Sequence, residues 1–144
     1  MEYVSSNPTG PIHVGHGRSA AFGSALANLL KVAGNNVTQE YYVNDRGLQA
    51  KTLGLSVFIR MQELDNRKVV LPEGCYAGDY IRDLAIKAKK HFKDKYLVKK
   101  EDNLFFETLN EWFEYINASY ENFLELANFV ICLLYTSPSP RDRG

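Results

Sequence analysis

Two hydrophobic periods follow one another along the 144 residues. Near the start, Glu2 to Ser5 carries Tyr3 and Val4, residue types that favour a strand, before Asn7-Pro8-Thr9-Gly10-Pro11 interrupts any regular element. A helix is expected from about Gly15 or His16, where Ala20, Ala21, Leu26, Ala27, Leu29 and Leu30 supply helix formers and a broad apolar face. Gly34 with Asn35 and Asn36 is a stop signal. Val37 to Val43, rich in β-branched and aromatic residues, reads as a second strand. Strand, loop, helix, glycine, strand is one βαβ unit, so the pattern predicts an α/β fold with a parallel pair and a right-handed crossover.

After Asn44-Asp45-Arg46-Gly47 the period becomes helical. Leu48 to about Leu64 offers Leu53, Leu55, Phe58, Ile59 and Met61 as apolar positions. A polar loop holding Pro72, Gly74 and Gly78 leads to a charged helix from about Asp79 to Lys95. Residues 103–129 are expected to form one long amphipathic helix. Its stripe of Phe106, Phe113, Tyr120 and Phe123 is a packing surface rather than a cofactor site. Pro138 and Pro140 in the closing SPSPRDRG can extend neither helix nor sheet. Read back through the genetic code, Cys132 to Asp142 resembles the in-frame translation of a transposon adapter used in preparing sequencing libraries. The native sequence is therefore expected to end near Ile131, leaving residues 132–144 as a non-native or disordered tail.

Composition narrows the class. The chain is 45% hydrophobic and 24% charged, with 17 basic and 17 acidic residues, which excludes wholesale disorder and a simple polybasic nucleic-acid tail. No apolar run approaches the roughly 18–20 residues of a membrane span, and the N-terminus lacks a secretory layout, so a cytoplasmic protein with no membrane partner is expected. Cys75 and Cys132 read as reduced thiols, and the sequons at Asn36 and Asn117 as chance matches. Charge is nevertheless uneven: residues 82–100 carry eight basic side chains against two acids, and Glu101 to Glu125 carries seven acids and no Lys or Arg. The basic helix can meet an RNA phosphate backbone, pair with the acidic stretch, or face water.

The segment with most chemistry is Ser5-Ser6-Asn7-Pro8-Thr9-Gly10-Pro11-Ile12-His13-Val14-Gly15-His16-Gly17-Arg18. Two histidines three apart fall where a loop becomes the first turn of a helix, whose free N–H groups and partial positive charge favour phosphate. Gly15 and Gly17 remove side chains that would keep a nucleotide from the backbone. His13 and His16 can then donate hydrogen bonds to phosphate oxygens as charge develops on them. Zinc is the rival reading, but it needs further ligands, and the only other histidine is His91 in the charged helix.

This block resembles the HIGH signature of class I aminoacyl-tRNA synthetases, and more narrowly that of bacterial-type arginyl-tRNA synthetases. Glu40-Tyr41-Tyr42-Val43-Asn44-Asp45-Arg46-Gly47-Leu48-Gln49 and Tyr76-Ala77-Gly78-Asp79-Tyr80-Ile81 resemble further stretches of the same family. The resemblance covers most of residues 1–100. It implies a partial Rossmann-like nucleotide-binding domain over residues 1–131, and ATP binding by His13, Gly15, His16 and Gly17, with the two histidines catalytic. It further implies that Ser5, Asn7, Asp45 and Gln49 face the arginine substrate. Asn44-Asp45 ahead of a helix is equally a capping signal. ATP as substrate, Mg2+ carried with the nucleotide, L-arginine and tRNA(Arg) are the implied cofactors and partners, with no dedicated protein metal site and an oligomeric state left open. Many members have a lysine three residues before the first signature histidine; here that position is Gly10, which implies reliance on a KMSK-type loop that these residues lack. The chain is accordingly expected to begin inside a strand and to be an incomplete, inactive piece of an arginine–tRNA ligase. Its guanidinium pocket, KMSK loop and anticodon-binding domain would lie elsewhere. Two other readings stay open: another HIGH-type nucleotidyltransferase, and a non-catalytic RNA-binding fragment using helix 82–100.

Overall fold

A helix that is apolar on nearly every side must be enclosed, and residues 48–64 make one. In a computed structural model of the chain, residues 1–44, 46–99 and 104–136 are described. They contain five helices: α1 (Val14–Val32), α2 (Leu48–Leu64), α3 (Asp79–Phe92), α4 (Leu109–Ser119) and α5 (Phe123–Thr136). These divide between two units, α1 in the first (within residues 1–44) and the other four in the second (within residues 46–136).

In the second unit every residue of α2 from Thr52 to Ile59 is buried. Its hydroxyls are absorbed locally: Thr52 Oγ1 donates to Leu48 O at 2.8 Å and Ser56 Oγ to Thr52 O at 2.7 Å. Ser56 Oγ also accepts from Tyr76 N at 2.9 Å, which ties the loop before α3 to the buried helix. Helix α3 closes one side with Ile81, Leu84, Ala85 and Ala88. Helix α5 crosses where Gly54 meets Ala127; a Cβ on Gly54 would lie 2.9 Å from the Ala127 Cβ. Phe58 packs edge-on against Trp112, Tyr120 and Phe123, with ring centroids 6.2, 5.4 and 6.0 Å away. Gln62, fully buried, donates to Tyr96 O at 2.7 Å and accepts from Val98 N at 3.0 Å. One side-chain amide thus completes both backbone groups of a buried loop, as a neighbouring strand would. Cys75 and Cys132 form no disulfide, and burial pushes the Cys75 thiol up, with a hydrogen bond to Ser56 opposing.

The single helix expected over residues 103–129 is two. Thr108 and Glu111 form a capping box that starts α4, with Glu111 N to Thr108 Oγ1 at 3.3 Å and Thr108 N to Glu111 Oε2 at 2.9 Å. Tyr120 then turns extended, and the Tyr96 hydroxyl donates to Asn122 O at 3.0 Å in the break before α5. Helix α3 stops short of Lys95 because Lys93 takes a positive φ of 51°. Of its basic residues, Lys89 pairs with Asp65 at 3.1 Å, and beyond it Lys95 pairs with Glu125 at 2.6 Å, whereas Arg82, Lys87, Lys90 and Lys93 are exposed. The basic and acidic segments are therefore joined through one ion pair, Lys95–Glu125, among the described residues.

The first unit holds α1, whose end follows the Gly34 signal closely. Gly34 at φ 86° donates to Lys31 O and Asn35 N donates to Leu30 O, both at 3.0 Å, which is a Schellman closure. The Tyr3 ring lies over Gly23, where a Cβ would come within 2.3 Å of it. The α/β reading is corrected here. Among the described residues there is no sheet; one isolated parallel bridge, Glu2 with Glu40, is all that forms. Val4 adopts φ 58° and its carbonyl accepts from Ser6 N at 2.8 Å, so the backbone leaves strand geometry after two residues. Tyr41, Tyr42 and Val43 are exposed, whereas parallel strands are normally covered on both faces. The Rossmann-like βαβ unit is replaced by a helix with two extended segments held mainly by side chains.

Two outcomes are expected in the second unit. Gln62→Leu leaves Tyr96 O and Val98 N buried without partners and should destabilise it by about 2–4 kcal/mol in denaturant melts. The Asp65 carboxyl is held below its ordinary 3.8, first by the hydrogen bond from Lys89, against desolvation, with Arg67 contributing. A depressed folded value means stability that is present above about pH 4 and lost as pH falls through that folded value. Thermal melts across this acid range should show a shallower decline for Asp65→Asn than for the unsubstituted chain.

Candidate functional site

At the head of α1, the chain caps a helix with an unusual residue. His13 occupies the N-cap position, and its Nδ1 accepts from Gly15 N at 3.1 Å. His16 answers reciprocally, its Nδ1 accepting from His13 N at 3.4 Å. The two rings stack with centroids 3.8 Å apart and planes inclined by 24°. Because each ring spends Nδ1 as an acceptor, its N–H sits on Nε2. The pair therefore presents two Nε2–H donors beside a helix N-terminus, where partial positive charge already favours an anion. His13 is exposed and His16 half-buried.

Gly15 has a steric role at this point. A Cβ there would stand 2.9 Å from His13 Cε1 and 3.1 Å from its Nδ1, so only glycine lets the ring fold back over the first turn. Around Gly17 nothing lies within 4 Å of a built Cβ, and the space beside it is open.

Ser5 and Asn7 stand on the loop before α1, and the second extended segment holds them. Ser5 Oγ accepts from Tyr42 N at 3.0 Å, the Tyr41 hydroxyl donates to Ser6 O at 3.3 Å, and Asn44 Nδ2 donates to Asn7 Oδ1. Pro8 is buried, and Thr9 N donates to Asn7 O at 2.9 Å, which stiffens the loop. Of the expected second-block pair, Asp45 lies outside the described residues, and Gln49 is exposed on the first turn of α2, in the other unit. The cap of α2 falls on Gly47, with no side-chain bond, so Asn44 serves Asn7 rather than that helix. That Tyr41, Tyr42 and Asn44 hold this loop escaped the sequence reading because their partners lie 35 to 37 residues earlier. Among the described residues, no three or more His, Cys, Asp or Glu are grouped to hold a metal ion, and no helix is long and apolar enough to cross a membrane.

The model of the catalytic domain of class I (R) tRNA synthetases matches residues 1–132, and the chain belongs to that family. Among its relatives, an arginine–tRNA ligase of Citrifermentans bemidjiense is 51% identical over 107 residues, which cover 74% of this chain and 19% of that protein. That of Desulfovibrio desulfuricans is 60% identical over 85 residues, 59% of this chain and 16% of the relative. A crystal structure of an arginyl-tRNA synthetase from Campylobacter jejuni superposes with a TM-score of 0.70 at 37% identity, covering 93% of this chain and 25% of that one. The chain thus spans about a fifth of the length of the curated relatives it matches.

Gly15→Ala tests the cap directly. The added methyl should push the His13 ring off the first turn, removing a bond worth about 1 kcal/mol, while alanine's better helix propensity offsets this elsewhere. Global helicity should stay level as amide exchange at residues 14–17 rises about fivefold, the factor that such an energy sets.

Proposed function

We propose that this chain is the nucleotide-handling part of an arginine–tRNA ligase. The whole enzyme joins L-arginine to ATP as arginyl-adenylate, releasing pyrophosphate, and passes the arginyl group to a terminal ribose hydroxyl of tRNA(Arg). The observation that carries this reading is the match over residues 1–132 together with His13 and His16 at the head of α1. In the proposed reaction, the arginine carboxylate attacks the α-phosphorus, and negative charge builds on the phosphate oxygens and the departing pyrophosphate. His13 and His16 donate Nε2–H to those oxygens, and the first turn of α1 adds its own field. Gly15 and Gly17 leave the nucleotide room to approach. Ser5 and Asn7 face the amino acid; Asp45 and Gln49 stay assigned to the arginine side on the family resemblance alone. None of these groups needs to abstract a proton; the chain orients two anions and offsets their charge. ATP is the substrate, and Mg2+ travels with its phosphates.

Residues 1–131 are read as part of the catalytic domain and residues 132–144 as a non-native tail. The 144-residue chain by itself is proposed to be inactive, consistent with its covering 19% of a related ligase. The test is arginine-dependent ATP–pyrophosphate exchange, with tRNA present, in the full-length protein carrying this segment. Asparagine also caps helices, so His13→Asn should preserve α1 yet slow exchange roughly 100- to 1,000-fold, as removal of a transition-state donor does. His16→Asn should act alike. Exchange that is independent of arginine, or unchanged in both variants, would overturn the reading.

A further inference from the structure

Asn7 has an exposed amide whose two ends differ in chemistry: Oδ1 only accepts and Nδ2 only donates. Turning it over by half a rotation exchanges an acceptor for a donor at the same place. Its backbone is settled by the loop, through Thr9 N on Asn7 O at 2.9 Å and the burial of Pro8. The amide itself is gripped by one side chain among the described residues, Asn44, whose Nδ2 donates to Asn7 Oδ1. The same short segment fixes the neighbours: Tyr42 N donates to Ser5 Oγ at 3.0 Å and the Tyr41 hydroxyl to Ser6 O at 3.3 Å.

We propose that Asn44 is a positioning residue: it holds the Asn7 amide with Oδ1 turned inward, so that the Nδ2 hydrogens are the group offered to an acceptor on the bound substrate. This rests on the reading that Asn7 faces the amino acid. The chemistry ranks the substitutions. Alanine at 44 releases the amide to sample both orientations. Aspartate has no hydrogen to donate, so Asn7 must turn over and give its Nδ2 to residue 44, leaving Oδ1 toward the substrate. Glutamine keeps a donor, one methylene longer.

The experiment is steady-state pyrophosphate exchange with arginine varied, in the full-length protein carrying this segment. Asn44→Ala should raise the arginine KM roughly tenfold with kcat within about twofold, the size of one lost hydrogen bond. Asn44→Asp should be worse than Asn44→Ala, and Asn44→Gln should restore part of the loss. Because Asn44 acts through Asn7, adding Asn44→Ala to Asn7→Ala should change nothing further, whereas a structural role multiplies the two losses. An unchanged KM in Asn44→Ala, or full multiplication in the double variant, overturns the proposal. If the unsubstituted protein shows no arginine-dependent exchange, the functional reading fails, and the positioning claim is judged separately by NMR of asparagine-labelled protein. The Asn7 side-chain amide resonances must then shift in Asn44→Ala; unmoved resonances overturn it.

Discussion

The packing of the four helices in the second unit follows from the need to enclose α2. A helix buried along its whole middle cannot rest on one neighbour, so α3 and α5 close on it from separate sides while the aromatic rings of α4 and its flanks fill the remaining gap around Phe58. Small residues set how near the partners come, as Gly54 does opposite Ala127. Enclosure also forces polar economy: Ser56 and Gln62, the buried polar side chains deepest in α2, each serve a backbone group of a loop as well as their own helix. Tyr76, Tyr96 and Val98 are thereby tied to the buried helix through its side chains.

The first unit solves a different problem. Its two extended segments run side by side, yet main-chain pairing stops after Glu2 and Glu40, and side chains take over from Ser5 onward. That substitution matters for chemistry. A regular ladder would commit backbone groups only and leave Ser5 and Asn7 free to rotate, whereas here the neighbouring segment spends particular atoms of each. The histidines at the head of α1 show the same habit, since capping uses one nitrogen of each ring and leaves the other outward.

Local signals were legible wherever a rule acts over a few residues. Gly34-Asn35 marked the end of α1, the apolar period of residues 48–64 marked α2, and the two histidines were placed at the start of a helix. Thr108 and Glu111 were equally local, but the long amphipathic stripe masked them, so one helix was read where a cap and an extended Tyr120 make two. The α/β expectation failed because strand propensity in Tyr3 and Val4 does not report the backbone bend at Val4 that ends the pairing. Asn44 was legible as a capping signal, but its contact with Asn7 was not, because that partner is set by register between distant segments.

The Asn44–Asn7 contact closes a span of 37 residues, and every other tie between the two extended segments closes a similar one. During synthesis the loop bearing Ser5 and Asn7 leaves the ribosome 37 residues ahead of Asn44 and stays unshaped until Asn44 follows. The loop bearing Ser5 and Asn7 therefore takes its shape only once all of α1 has been made.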